Sequence, residues 1–235
     1  MKTKIFILTF LFISALFMNP VSAEDEERSV PSFSEISLRI PGTLYLEQGE
    51  TQSVEVVAKP SALEEIVTEV NGRQLNIRFK SKNYFFKSFN PGKIEIFITV
   101  PEIDGLAVSG SGDIIAEDDI KSRILDLAVS GSGDINLSGL DAERVKASIS
   151  GSGDIIIGSG GVADDLSVSI SGSGDVKAEG FEAKDVVVRI AGSGNCSVTS
   201  NGTIKAKVAG SGSVYYNGNP GIDSSVAGSG RVKKM

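Results

Sequence analysis

Leu127-Ala128-Val129-Ser130-Gly131-Ser132-Gly133-Asp134-Ile135-Asn136-Leu137 is the stretch whose reading decides the fold. Its centre, SGSGD, stands intact from Ser109, Ser130, Ser150 and Ser171. Degenerate copies follow as AGSGN from Ala191, AGSGS from Ala209 and AGSGR from Ala227. The starts are therefore 21, 20, 21, 20, 18 and 18 residues apart. A near-constant period in this range marks a stacked architecture whose units cannot bury their apolar faces alone.

The parity of the residues shows how each unit lies. Leu127, Val129, Ile135 and Leu137 share the odd positions with Gly131 and Gly133, while the serines and Asp134 take the even ones. The same division holds through Val145–Ile157, Leu166–Ala178, Val186–Val198 and Ile204–Tyr216. Alternate side chains of a strand point to opposite faces, so apolar residues and glycines turn inward together. Paired inward glycines suit a corner, either to bend the chain or to let backbone approach backbone. Each unit has a second corner, as in Gly139-Leu140-Asp141-Ala142 and Gly180-Phe181-Glu182-Ala183. Two strands and two corners per period describe a coil of a parallel β-helix, and the absence of a six-residue period favours the right-handed form. An antiparallel meander with SGSGD as each hairpin loop is the rival arrangement.

Upstream, residues 32–101 are β-rich but lack the period. Ile36, Leu38 and Ile40 alternate, as do Leu44 and Leu46, Val54 and Val56, Leu75, Ile77 and Phe79, and Ile94 through Val100. Between Ser61 and Val70 a helical turn followed by a strand fits, ending at the Asn71-Gly72 turn. This region is placed to cover the first coil, because an open stack offers unpaired edges. The opening residues have secretory order: Lys2 and Lys4, an apolar run from Ile5 to Met18, then Val21-Ser22-Ala23. The expected organisation is a signal peptide (1–23), a disordered charged segment (24–31), an N-terminal β-rich cap (32–101) and the β-helical repeats (102–235). The chain is expected in the periplasm or at the cell surface, with no transmembrane segment after cleavage.

Composition narrows the chemistry. A net charge of -7 disfavours nucleic acid as a partner. His and Trp are absent, which removes the commonest acid–base side chain and one main sugar-stacking ring. The single cysteine, Cys196, has inward parity and reads as a small buried residue. Stacked in register, Asp113, Asp134, Asp154 and Asp175 form a column of carboxylates about 4.8 Å apart. Such a column either bridges cations such as calcium or caps turns by accepting backbone N–H groups. Asn195, Ser213 and Arg231 replace Asp in later copies, which favours capping. All four Asp share one environment, whereas acid–base catalysis needs carboxylates in unlike ones, so no enzyme and no cofactor is expected. Tyr84, Phe85, Phe89 and Tyr215 are the candidate contact residues for a surface ligand.

One resemblance covers about residues 33–216. Phe33-Ser34-Glu35-Ile36, Asn71-Gly72-Arg73-Gln74-Leu75-Asn76-Ile77, and Ile98-Thr99-Val100-Pro101 leading through Leu106-Ala107-Val108 into the first SGSGD resemble the auto-transporter adhesin, head GIN domain family. The resemblance implies a β-helical envelope protein with an adhesive role and supplies no catalytic residues. No run of membrane-barrel strands is recognisable, so self-export is not expected. Two functions follow: a binding module for a surface glycan or envelope protein, or a structural spacer that self-associates through an open end of the helix as a homo-oligomer.

Overall fold

The computed structural model describes residues 23–80 and 90–235; residues 1–22 of the expected signal peptide and Tyr84, Phe85 and Phe89 lie outside them. From the N-terminus come β1 (Glu24–Glu27), β2 (Glu35–Leu38), β3 (Thr43–Gln48) and β4 (Ser53–Ala58), then one helical turn, α1 (Pro60–Leu63). Next are β5 (Ile66–Asn71), β6 (Gln74–Phe79) and β7 (Glu95–Val100). The repeats form β8 (Gly105–Gly110), β9 (Asp113–Gly131), β10 (Ile135–Gly151), β11 (Ile155–Gly160), β12 (Val162–Gly172) and β13 (Val176–Gly192). They end in β14 (Cys196–Thr199), β15 (Thr203–Gly210), β16 (Val214–Asn217), β17 (Gly221–Gly228) and β18 (Val232–Lys234).

These strands make two hydrogen-bonded columns that share a core. The first runs β5, β6, β2, β8, β9, β10, β12, β13, β15, β17. The second runs β1, β4, β7, β3, β9, β10, β11, β13, β14, β16, β18. Strands β9, β10 and β13 belong to both because they round the second corner without a break. Every pairing through the repeats is parallel, with register shifts after Leu137 and after Ala178, so the chain is an all-β parallel solenoid with a β-rich N-terminal region; the antiparallel meander does not occur.

The inward parity is realised as ladders of stacked apolar residues. Leu127, Ala147, Val168, Val188 and Ala206 lie one above another in the first column. Ile114, Ile135, Ile155, Val176, Cys196 and Val214 do so in the second, and all six are buried. Burying each such branched side chain stabilises the fold by roughly 1.5–3 kcal/mol before conformational entropy is counted. Burial among these neighbours pushes the Cys196 thiol up, keeping it protonated and unreactive.

The two glycines of a corner share one task, and the first has a second one as well. Gly131 takes φ +130°, a backbone conformation closed to L side chains, and turns the chain. Gly133 needs no unusual torsion, but a Cβ there would lie 1.9 Å from the Gly112 carbonyl oxygen of the preceding coil. Gly131 also meets the preceding coil, since a Cβ there would lie 2.3 Å from the Gly110 carbonyl oxygen. The first glycine both bends the backbone and lets coils touch, and the second lets them touch.

The N-terminal region is woven into the stack. Strands β2 and β3 already form a coil directly beneath β8 and β9, and β6 and β7 form the coil beyond it. Strand β4 then pairs antiparallel to β7, and β5 antiparallel to β6, ending the parallel order. The acidic segment Glu24–Glu27, which composition alone leaves unstructured, is β1 on the free edge of β4. Its side chains are all exposed, so backbone pairing rather than burial places it. Polar side chains fasten this region to the repeats: Arg73 bridges Glu35 (3.1 Å) and Asp104 (2.9 Å). Gln48 donates to the carbonyls of Pro101 (3.1 Å) and Lys121 (2.9 Å) and accepts the Lys121 N–H (2.8 Å).

Candidate functional site

The Asp column is a hydrogen-bond ladder between coils. Asp113 Oδ1 accepts the backbone N–H of Asp134 (2.9 Å), Asp134 that of Asp154 (2.7 Å), Asp154 that of Asp175 (2.8 Å), and Asp175 that of Asn195 (2.7 Å). Asn195 continues it with the N–H of Ser213 at 3.1 Å. The need arises from the corner. The Gly110 carbonyl already accepts the N–H groups of both Ser132 and Gly133, and the same holds for Gly131, Gly151, Gly172, Gly192 and Gly210 one coil on each time. The next N–H therefore has no backbone acceptor, and a half-buried unpaired donor costs about 1–3 kcal/mol. A carboxylate or amide one coil below meets that need, which is why Asn can stand at 195.

Sequence reasoning placed the capping within each corner; the structure shows it spanning two. The second oxygen of Asp154 takes Lys177 Nζ at 2.6 Å. That hydrogen bond, followed by the charges of Asp154, Asp175 and Asp134, raises the Lys177 pKa against the lowering by burial. Lys177 thus supplies a counter-charge in the middle of the column. Among the described residues no three His, Cys, Asp or Glu side chains converge as a metal site would require.

A second feature lies on the outer face of the second column. Tyr45 and Phe97 are cross-strand partners, with rings stacked at a centroid distance of 5.2 Å and an angle of 13°. Phe97 is 40% exposed. Ile115 extends the row from Tyr45 by one strand. Beside these rings a shallow depression of about 370 Å³ is bordered by Glu47, Thr99, Glu117 and Asp118. The three acids are exposed and form no ion pair among the described residues. An apolar platform ringed by hydroxyl and carboxylate acceptors can stack a flat ring and accept its hydroxyl protons.

Sequence reasoning passed over this pair because its members are far apart in the chain and neither belongs to an aromatic cluster. Parity did hold the signal: Leu44 and Leu46, like Ile96 and Ile98, point inward, which turns Tyr45 and Phe97 out. Tyr215 is half-buried at the opposite end of the same outer face, between Ser197 and Lys233. The structure therefore does not bring it to Tyr45. On the first column the outward serines Ser130, Ser150 and Ser171 stack in register and give way to Ala191, Ala209 and Ala227.

Comparison with known proteins agrees with this architecture. The sequence pattern of the family described as "Putative auto-transporter adhesin, head GIN domain" matches residues 32–220. No curated protein matches the chain. Among solved structures, a "putative adhesin" from Bacteroides fragilis superposes with a TM-score of 0.85 at 24% identity, covering 91% of this chain and 97% of that one. A "putative lipid binding protein" from Parabacteroides distasonis gives 0.74 at 25% identity, with the same coverage. A "putative adhesin" from Parabacteroides merdae gives 0.73 at 21% identity, covering 91% and 96%. Identities under 25% carry the fold and nothing more. No helix among the described residues is long and apolar enough to cross a membrane.

Proposed function

We propose, for a chain that belongs to the head GIN domain family of adhesin-like, secreted cell-envelope proteins, a non-catalytic adhesive role in which a surface glycan is held by the outer face of the first coils. The observation that carries this reading is the exposed Tyr45–Phe97 stack beside Glu47, Glu117 and Asp118. The inner residues of both strands are locked in the core, so the rings are presented by a rigid support at low entropy cost. The acids repel anionic ligands and accept hydroxyl protons, which selects a neutral sugar chain. Tyr84, Phe85 and Phe89 are assigned as further contacts, and Tyr215 as a separate one. The stack is taken as right-handed, supported by the strong preference of parallel strand connections for that hand.

Binding of the exported protein to arrays of neutral and anionic glycans tests this reading. Tyr45→Ala with Phe97→Ala is expected to weaken neutral-glycan binding by about 10-fold or more, since removing aromatic anchors has effects of that order. Tyr215→Ala is expected to leave it unchanged. Unaltered binding by the double variant contradicts the assignment. Binding of lipid vesicles in place of glycans would transfer the apolar platform to the ligand class that describes the P. distasonis relative.

A second reading has its own observation. Ile222 and Val226 continue the buried ladders of Ile204 and Val208, yet are 40% and 39% exposed because no further strand stacks on β17 among the described residues. An apolar, unpaired edge of this kind suits self-association into a structural array.

A further inference from the structure

The two ends of the second column carry opposite charge. At the N-terminal end the outermost strand is β1, Glu24-Asp25-Glu26-Glu27, paired on one side only, with β4. At the C-terminal end the outermost strand is β18, Val232-Lys233-Lys234, paired only with β16 and preceded by Arg231. Arg231, Lys233 and Lys234 form no ion pair among the described residues, nor do Glu24, Asp25 and Glu27; Glu26 alone is held, by Arg28 at 2.9 Å. Among the described residues neither strand has a partner on its other edge, and both edges face along the stack.

Resting on the self-association reading, we infer that a second copy of this chain docks head to tail, the acidic β1 edge of one copy against the basic β18 edge of the next. Charge decides among the three possible end contacts. Tail to tail would set Arg231, Lys233 and Lys234 against themselves, and head to head would do the same with the acids. Like charges placed directly opposite one another are destabilising on paired strands. Only the unlike contact is matched, and it extends the second column from one copy into its neighbour. A contact between unlike surfaces is not closed by a two-fold axis, so it propagates into a filament. The lone lysines that usually protect a free edge discourage pairing with a neutral or basic strand but favour an acidic one. Ile222 and Val226, on the last strand of the first column, lie at the same end of the stack and lose solvent when the neighbour seats.

Sedimentation of the exported protein from Glu24 onward, over a range of concentration and salt, reads this out. At low salt the native protein is expected to form open-ended oligomers that dissociate by several-fold in affinity as salt rises past physiological strength. A tail variant, Lys233→Glu with Lys234→Glu, and a head variant, Glu24→Lys with Asp25→Lys and Glu27→Lys, are each expected to stay monomeric alone. Mixed one to one, they are expected to associate again, because each restores an unlike pair with the other. Circular dichroism and melting of each variant confirm folding. Association of the native protein that the head variant retains and the tail variant loses means tail-to-tail contact; it overturns this inference while leaving the self-association reading intact. A native protein that is monomeric at every concentration overturns both.

Discussion

The repeats and the N-terminal region reach the same stacked strands by different physical means. In the repeats each coil solves the same problem in the same way: a glycine that bends and touches, a second that touches, and an aspartate or asparagine that accepts the stranded N–H of the next coil. Residues 32–101 lack the repeated corner sequence. The coil of β6 and β7 lies outside that of β2 and β3, and antiparallel β4 and β5 end the parallel order. Beside the β2–β8 and β3–β9 ladders, ion pairs and the Gln48 hydrogen bonds join this region to the repeats. The repeated part is specified by what cannot be changed at each corner; the unrepeated part rests on individual side chains and has room on its surface for a binding platform.

Substitutions can break or sharpen that contrast. The largest effect is expected from Gly153→Ala, whose Cβ would lie 2.0 Å from the Gly133 carbonyl oxygen between two fixed coils. Backbone cannot yield there as a side-chain tip would, so a loss of about 3 kcal/mol or more is expected in denaturant unfolding. Its counterpart in the N-terminal region is Gly72→Ala. Gly72 has φ +64° with nothing within 4 Å of an added Cβ, so only the torsional strain of about 1 kcal/mol applies. Equal losses at the two glycines would erase the distinction between corner and turn.

Between these lies Asp134. Asp134→Ala strands the N–H of Asp154 and is expected to cost about 1–3 kcal/mol, whereas Asp134→Asn keeps an acceptor and should lose less than half of that. Asn195, which already serves Ser213, is the natural precedent. If alanine and asparagine behave alike at 134, the ladder has no energetic role.

How much of this was legible in the sequence follows from the same contrast. The parity of Leu127, Val129, Gly131, Gly133, Ile135 and Leu137 recurs in every copy, and repetition is a signal that local ambiguity cannot erase. It is enough to locate the inward ladders and the buried Cys196. The order of strands in the N-terminal region was not legible, because alternation at Ile36, Leu44, Val54, Leu75 and Ile96 defines faces and says nothing about neighbours. The pairing of Tyr45 with Phe97 depends on that order, so the platform could not be assembled from either residue alone. The charged β1 escaped for a further reason: its pairing is made by backbone, and composition reports only side chains. The direction of the Asp bonds, up the stack instead of within a turn, likewise depends on which carbonyls the preceding glycines have already filled.

The central claim is that whole coils lie in register, close enough for a side chain of one to hold the backbone of the next. Scalar coupling across the hydrogen bond, measured by NMR on isotopically labelled protein, tests it most directly. The amide nitrogen of Asp154 is expected to couple to the side-chain carboxyl carbon of Asp134, 20 residues away in sequence, with the same pattern between Asp175 and Asp154. Amides at these positions that show no such coupling and exchange with solvent as rapidly as an exposed loop would contradict the stacking on which the whole account depends.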